Sequence, residues 1–315
     1  MSVLNSIIIL GLLFYGLSRS ADIVVVRVRG LGERLGFSPM LLGVPLGILT
    51  SMPEIAIAIN AAKENIIGVS LGNLLGGIPV LMGFILGASA IANRRISTSD
   101  GRAEAPYLAA YLFLPVLLGL DGVIGAIDGL LLIALYLVYL GWLYVRNGSA
   151  HAQHRTVLQR GRAKRQMLIA IASVIAVVLF SNMIVDVTRN LLRDLAVPAF
   201  FVGLLLFSVG TNLPEISVAF RSWRRGTAEL SLGHLFGSTA ANPLIIGIIG
   251  FLRPSPMPTG PAYFAFTILL AGLLATMVVF VRSGRRLTAR EGVFLLAWFA
   301  AIGVSQVMLL PLDME

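Results

Sequence analysis

Cysteine is absent from the 315-residue sequence, which excludes disulfide bonds and cysteine-ligated metal sites. Charged residues are also scarce, at 12% of the chain against roughly 25% in soluble domains. Hydrophobic residues make up 57% of the sequence, and the mean hydropathy is +0.90. These values exclude an ordinary soluble domain and indicate a polytopic membrane protein.

Recognisable catalytic motifs are missing as well. The sequence has no H-E-x-x-H metal motif, no evident nucleophile–base pair and no G-x-x-x-x-G-K-[ST] phosphate loop. We therefore expect neither an enzyme nor a cofactor. The net charge of +9 sits in short gaps between apolar segments, which is typical of orientation signals and not of a nucleic-acid-binding face.

Ten apolar segments approach the length of about 20 residues that a spanning helix needs. They cover residues 3–27, 38–62, 66–92, 104–120, 123–145, 167–191, 197–220, 230–252, 261–281 and 291–311. We expect the first to be a retained span and not a removed signal peptide. An odd number of spans on each side of residues 146–166 would invert the second half relative to the first. The sequence thus predicts an all-α integral membrane protein with about ten transmembrane helices, built as two inverted-topology five-helix repeats (1–145 and 167–315) around a basic cytoplasmic loop, 146–166.

Lysine and arginine are distributed unevenly between the gaps. The gaps after odd-numbered spans hold 19 of them and the gaps after even-numbered spans hold 4. Because cytoplasmic loops are enriched in basic residues, we expect the odd gaps to be cytoplasmic and both termini extracytoplasmic, in a bacterial-type inner membrane. The basic loop is also expected to contact lipid headgroups.

One motif occurs twice, in residues 49–81 and 210–242. Thr50 and Thr211 are separated by 161 positions, and so are Glu54 and Glu215. The same offset relates the prolines at 53 and 214 and the glycines at 72 and 233 and at 76 and 237. An ungapped offset over about thirty residues indicates that two copies of one unit each place a carboxylate inside an apolar segment.

The two motifs supply hard oxygen ligands. A proline within a helix leaves the carbonyl four residues earlier without its donor, here the carbonyls of Leu49 and Gly210. At helical spacing, each threonine shares a face with the glutamate four residues later. Two such sets across a pseudo-two-fold could supply most of the 6–8 oxygens that calcium takes, and two carboxylates balance one divalent ion. An acidic residue within a membrane is a functional candidate by default.

These segments resemble the alpha repeats of the cation/calcium antiporter superfamily, which includes the sodium/calcium exchangers. In both repeats a glycine follows the glutamate by 22 residues, as in the family's G-S-N-x-x-[ND] element. The resemblance implies an ion exchanger with a central calcium site at Thr50, Glu54, Thr211 and Glu215 and sodium or proton sites nearby. It implies alternating access, with the second, third, seventh and eighth spans forming the site. The candidate ligands also include the neighbouring Ser51, Asn212, Ser238 and Asn242.

The two repeats differ in this glycine element. The second keeps Ser238 and Asn242, whereas Gly77 and Leu81 stand at the corresponding first-repeat positions and offer no side-chain oxygen. By resemblance, the family's sodium sites use the serine after each glycine. We therefore expect altered stoichiometry or coupling to protons.

His234 occupies the position of Asn73 in the first repeat, and it is either a proton-linked group or a hydrogen-bonded substitute for the amide. For Asp22, Asp128 and Asp186, near span ends, we expect interfacial or paired structural roles, with Arg189 on the helical face of Asp186.

Two alternatives remain open. The transported ion could be manganese, magnesium or a monovalent cation instead of calcium. The eroded first repeat is also compatible with a degenerate cation sensor that does not transport. The sequence makes no prediction of oligomeric state.

Overall fold

The computed structural model describes residues 3–34, 49–93, 96–98, 101–147, 160–195, 197–225, 232–284 and 286–313, and within these ranges the backbone is almost entirely helical. In chain order the helices are α1 (Val3–Arg34), α2 (Met52–Lys63), α3 (Ile67–Asn93), α4 (Ala105–Leu118), α5 (Ala126–Asn147), α6 (Arg160–Leu195), α7 (Ala199–Thr211), α8 (Leu213–Arg225), α9 (Leu232–Leu252), α10 (Pro261–Ser283) and α11 (Ala289–Leu309). Four two-residue strands are β1 (Ile96–Ser97), β2 (Val123–Ile124), β3 (Ser255–Pro256) and β4 (Arg286–Leu287). Short 3-10 turns follow α4 at Gly119–Asp121 and α11 at Leu310–Asp313, and π-helical stretches lie in α3 at Val80–Ile85 and in α7 at Gly203–Phe207.

Seven of the described helices are long and apolar enough to cross a membrane: α1, α3, α5, α6, α9, α10 and α11. The α7–α8 pair, bent by 43°, adds an eighth if it forms one broken span. Of the other two predicted spans, 104–120 corresponds to the shorter apolar helix α4, and much of 38–62 lies outside the described residues. The nearly all-helical membrane fold is confirmed, while the count of ten stays a prediction.

The apolar spans agree with three predicted boundaries. The candidate spans are Val3–Val28, Ala126–Val145 and Arg165–Leu195, against predicted limits at 27, 145 and 167. The helices extend beyond these spans, because α1 continues to Arg34, α5 ends at Asn147 and α6 begins at Arg160. The two histidines of the predicted loop, His151 and His154, lie outside the described residues.

Burial places α3 and α9 at the centre of the molecule. The apolar windows of these helices are 83% and 72% buried, against 17–39% for the other candidate spans. The main core joins them to α4, α5, α10 and α11. A second apolar cluster joins α1 and α6 to parts of α2 and α7. The repeat motifs, which lie on α2–α3 and α7–α9, therefore occupy the most enclosed part of the fold and the boundary between the two clusters.

Two short antiparallel strand pairs join the halves of the chain. Strand β1 pairs with β4 through Ile96 and Leu287, and β2 pairs with β3 through Val123 and Pro256. A hydrogen bond of 2.8 Å from the Thr98 hydroxyl to the Gly284 carbonyl extends the first pair. These contacts fix which helix ends lie at the same face of the bundle.

Glycine permits the closest helix contacts. Gly83, Gly87 and Gly247 lie at such contacts, because a Cβ at each would come within 3.0 Å of an atom of another helix. Contacts between α3 and α7 are tighter still. A Cβ at Gly72 would overlap the Phe200 carbonyl oxygen, and a Cβ at Gly203 would overlap the Val69 carbonyl oxygen. We call the α3–α7 contact at Gly68, Gly72, Gly76 and Gly203 the glycine seam.

Candidate cation site at two helix breaks

Both repeat motifs contain a helix break at equivalent residues. Ser51 has φ −91° and ψ 15°, and Asn212 has φ −87° and ψ 12°; in each case a new helix starts at the next residue. The prolines were expected to disturb a helix from within, and each instead lies in the first turn of the new helix, where its missing N–H costs nothing. The Gly210 carbonyl, expected to be free, accepts a hydrogen bond from the Asn212 N–H.

The breaks place Glu54 and Glu215 in the first turns of α2 and α8. The exposed partial positive charge of a helix N-terminus stabilises a nearby anion. Both side chains are buried, with 7% and 5% of their surface exposed. The two carboxylates are close enough for their charges to interact, although they come from different motifs.

Hydroxyl and amide groups surround the carboxylates. The Ser238 hydroxyl donates to Oε1 of Glu215 at 3.1 Å, and the Thr211 hydroxyl donates to Oδ1 of Asn73 at 3.0 Å. The Thr211 side chain also lies beside the Glu54 carboxylate. Oε2 of Glu54 is buried and makes no hydrogen bond to any described residue. It therefore keeps its lone pairs available to another electropositive group.

Asn73 is a site residue that the sequence analysis did not select. It is 1% exposed, and its Nδ2 group has no hydrogen-bond partner among the described residues. The available signal was an amide within the apolar, glycine-rich segment that became α3, at the position equivalent to His234. Its contact with Thr211 links α3 of the first motif to α7 of the second.

Gly77 faces two asparagines of the second motif. A Cβ there would lie 2.8 Å from Nδ2 of Asn242 and 3.3 Å from Nδ2 of Asn212. These amides donate to the Leu74 carbonyl at 2.9 Å and the Ser208 carbonyl at 2.7 Å, respectively. Second-repeat side chains thus fill the space beside the residue that lacks a hydroxyl.

A cavity of about 380 Å³ leads to the site and is lined by Thr50, Pro214, Glu215 and His234. The opposite wall is formed by α1. His234 lies in the first turn of α9 and is exposed to this space. Ser51 is buried at its helix break.

The structure thus brings Glu54, Thr211, Glu215 and Ser238 together, with Asn212 and Asn242 meeting at Gly77. No group of three His, Cys, Asp or Glu side chains that could hold a metal occurs among the described residues. A cation at the two glutamates would therefore need neutral hydroxyl, amide and carbonyl oxygens to complete its coordination. That ligand set suits a hard cation such as calcium.

The other acids have separate surroundings. Oδ2 of Asp128 accepts the Gly125 N–H at 2.8 Å, in agreement with its expected structural role. Arg189 pairs with Glu64, the residue that follows α2, although its expected partner was Asp186. Asp22 lines the cavity beside Glu215.

Comparison with known proteins places the chain among exchangers. Residues 5–145 and 165–308 match the family model described as sodium/calcium exchanger protein. Similar proteins include an uncharacterized membrane protein of Methanocaldococcus jannaschii (26% identity; 87% of this chain and 89% of that protein), the putative antiporter CaxA of Alkalimonas amylolytica (25%; 89% and 92%) and the sodium/calcium exchanger MaX1 of Methanosarcina acetivorans (24%; 94% and 96%).

Two solved structures share the fold. The H+/Ca2+ exchanger CAX superposes with a TM-score of 0.72 at 17% identity, over 100% of this chain and 87% of that one. The sodium-calcium exchanger NCX_Mj superposes with a TM-score of 0.63 at 24% identity, over 95% and 98%. Because the family model matches almost all of both halves, the chain belongs to the sodium/calcium exchanger protein family of membrane transporters.

Proposed function

We propose that this chain is a secondary active antiporter that exchanges calcium, or a similar divalent cation, for sodium or protons by alternating access. Glu54 and Glu215 are its two anionic ligands, and the helix breaks and α9 supply neutral oxygens. The observation that carries the proposal is the convergence of two buried carboxylates, one from each repeat motif, in the most enclosed part of a membrane transporter fold.

The energetics favour a divalent cation. Burying one carboxylate without a partner is costly, and two close carboxylates also repel each other. One divalent ion cancels both charges. The unpaired Oε2 of Glu54 and the hydroxyls of Thr211 and Ser238 offer oxygen atoms in the same place. Because the empty site is costly, conversion between the two access states favours the ion-filled forms, which makes exchange obligatory.

The names of relatives narrow the counter-ion to two candidates. MaX1 is named a sodium/calcium exchanger and CAX an H+/Ca2+ exchanger. The arrangement at Gly77 favours a coupling that differs from the usual sodium pattern, because asparagine amide groups occupy the space beside the missing serine. Proton coupling or a reduced number of sodium ions follows from this asymmetry.

The strand pairs support the inverted repeat. Strand β1 follows α3 and pairs with β4, which follows α10. Strand β3 follows α9 and pairs with β2, which follows α4. The 23-residue helix α10 separates β3 from β4 by about 34 Å at 1.5 Å per residue. The equivalent helices α3 and α9 therefore end toward opposite faces, as two oppositely oriented halves require. With basic gaps inward, the termini are extracytoplasmic in an inner membrane.

Two cavities support alternating access. The cavity that contains Glu215 lies at the start of α9. A second cavity, of about 620 Å³, lies near β3 beyond the other end of α9 and is lined by Gly68 and Phe200. The glycine seam borders this second cavity at Gly68. We infer that the conformation is open toward one face, the cytoplasmic one by charge, and closed at the seam toward the other.

Flux measurements in proteoliposomes test the proposal. Purified protein should take up radioactive calcium when an outward sodium or proton gradient is imposed, and manganese and magnesium should be tested as competitors. Glu54→Gln and Glu215→Gln should reduce uptake at least 100-fold, because each leaves a divalent ion with one buried countercharge. Uptake that proceeds without either gradient would contradict antiport.

Glu291→Gln is a matched control. Glu291 occupies the same third position of a helix, α11, but lies at the surface in a capping box with Thr288, which glutamine can preserve. Normal transport by both site variants would refute the site. Saturable calcium binding with no flux under any gradient would favour the cation-sensor alternative.

A further inference from the structure

The cavity that reaches Glu215 has a charged wall formed by α1. Arg19, Asp22 and Arg27 of this helix all line it. Charged side chains within an apolar helix are costly unless they face water or a partner. Their position on one wall of a cavity that leads to the glutamate therefore points to a role on the ion path, and not only to stabilisation of α1.

Asp22 lies close to the site, and its contact with Arg19 is long. Its carboxylate lies 3.6 Å from Nη1 of Arg19, beyond normal hydrogen-bond length, and the two side chains are 25% and 55% exposed. The carboxylate is also close enough to Glu215 for the two charges to interact. A cation that moves along the cavity toward Glu215 therefore comes under the influence of Asp22.

We propose that Asp22 is a vestibule carboxylate that concentrates the transported divalent cation on the cavity side before it binds at Glu54 and Glu215. This inference depends on the proposed antiport function. Asp22 offsets the repulsion of the cation by Arg27, and Arg19 competes with the cation for Asp22. The residue acts on capture from one side of the membrane and is not part of the central ligand set.

The charge arrangement sets the expected magnitude. Focusing of the field in a cavity raises the local concentration of a counter-ion, and salt screens the effect. Removal of one charge several ångströms from a divalent ion in a hydrated cavity corresponds to about a 3- to 10-fold change in half-saturating concentration at low ionic strength. The change should shrink as the salt concentration rises.

Opposite substitutions in the Arg19–Asp22 pair provide the test. Calcium uptake by proteoliposomes is measured separately from each face, using vesicles of known protein orientation. Asp22→Asn should raise the half-saturating calcium concentration on the cavity side by about 3- to 10-fold, with the maximal rate unchanged. Arg19→Gln should lower it by a smaller factor, because a positive charge beside Asp22 is then removed. Neither variant should alter half-saturation on the opposite face.

Asp186→Asn is the matched control, because Asp186 is an exposed acid on α6 and does not line this cavity. Failure of the wild-type protein to transport would refute the proposed function itself. Normal wild-type flux with an unchanged half-saturating concentration in Asp22→Asn would overturn this inference alone. So would an equal effect on both faces or a loss confined to the maximal rate, since either indicates a structural role.

Discussion

The glycine seam yields a prediction about which face of the transporter is closed. Gly72 on α3 lies against the backbone of α7, where an added Cβ would overlap the Phe200 carbonyl oxygen and come within 2.8 Å of the Leu204 nitrogen. Its equivalent in the second repeat, Gly233 on α9, has no neighbouring atom within 4 Å of an added Cβ among the described residues. Likewise, an added Cβ at Gly76 would overlap the Leu204 carbonyl oxygen, whereas one at Gly237 has no neighbouring atom within 4 Å among the described residues.

Residues 38–47, the first-repeat equivalents of the α7 segment that faces Gly72 and Gly76, lie outside the described residues. Under the proposed cycle, we expect the difference among the described residues to be conformational. The first-repeat glycines close one face in the present state, and the second-repeat glycines close the other face in the alternate state. Gly72→Ala should therefore disfavour the present state, whereas Gly233→Ala should disfavour the alternate state. The two variants make the same chemical change at equivalent positions, so each is the control for the other.

The magnitude follows from packing. Overpacking against backbone costs about 1–3 kcal/mol. The gain of up to about 1 kcal/mol of alanine over glycine within a helix applies to both states and does not change their balance. Gly72→Ala thus costs the present state about 1–3 kcal/mol relative to the alternate state, which corresponds to a shift of roughly 5- to 150-fold. Gly233→Ala meets no opposing contact among the described residues and is expected to leave the present state intact or more stable.

Cysteine labelling measures this shift, and the absence of native cysteine makes any introduced thiol unique. Ser208→Cys is nearly isosteric and lies in the seam, where the Ser208 Cβ faces Gly76. An impermeant maleimide added on the side of the second cavity should label position 208 slowly in the protein that carries only Ser208→Cys. Labelling should be faster with Gly72→Ala and unchanged or slower with Gly233→Ala. Equal labelling of both double variants would refute the assignment of the seam as the closed gate.

Two further substitutions test separate parts of the structure. Gly77→Ser should weaken calcium transport severalfold or change its ion stoichiometry, because the serine side chain displaces the Asn242 amide. Gly125→Ser, outside the site, is the control. Unchanged calcium-to-charge ratios and rates in Gly77→Ser would contradict the role of Gly77. Tyr139→Phe should lower stability by about 1–3 kcal/mol, measured as the thermal midpoint in detergent, because buried Glu104 loses the Tyr139 hydroxyl as a donor. Tyr107→Phe, which loses only a neutral bond to the Leu135 carbonyl, should cost less, and an equal or larger loss would count against this account.

The sequence was sufficient to select the two glutamates of the candidate site. Glu54 and Glu215 could be selected because burying an acidic residue in an apolar segment is costly. The same costly residue also occurs twice, at equivalent positions 161 residues apart. Both proved to be buried and mutually close. The breaks beside Pro53 and Pro214 were predictable in kind, since proline disturbs a helix. Their position one residue before the new helix depended on local geometry.

Features that depend on tertiary contacts were not predictable. Asn73 joins the site only because α3 packs against α7, which brings it to Thr211, 138 residues away. The pairing expected of Asp22 is present as its 3.6 Å contact with Arg19, but its place in the cavity wall was not predictable, because the sequence does not show which face of α1 meets the cavity. The filling of the space at Gly77 by Asn242 likewise requires α3 and α9 to lie side by side.

The two repeats are unequal for two different reasons, and the reasons have different consequences. The difference between Gly77 and Ser238 is chemical and persists through every state, so we expect it to determine which ions bind and in what number. In the proposed cycle, the difference between Gly72 and Gly233 is one of packing, and we expect it to reverse when access switches to the other face. Substitutions at the first pair should therefore change ion selectivity or coupling from both faces, whereas substitutions at the second pair should change the balance of states while coupling is retained. An alanine at Gly72 that altered stoichiometry, or a serine at Gly77 that altered only accessibility, would show that coordination and gating are not separable in this fold.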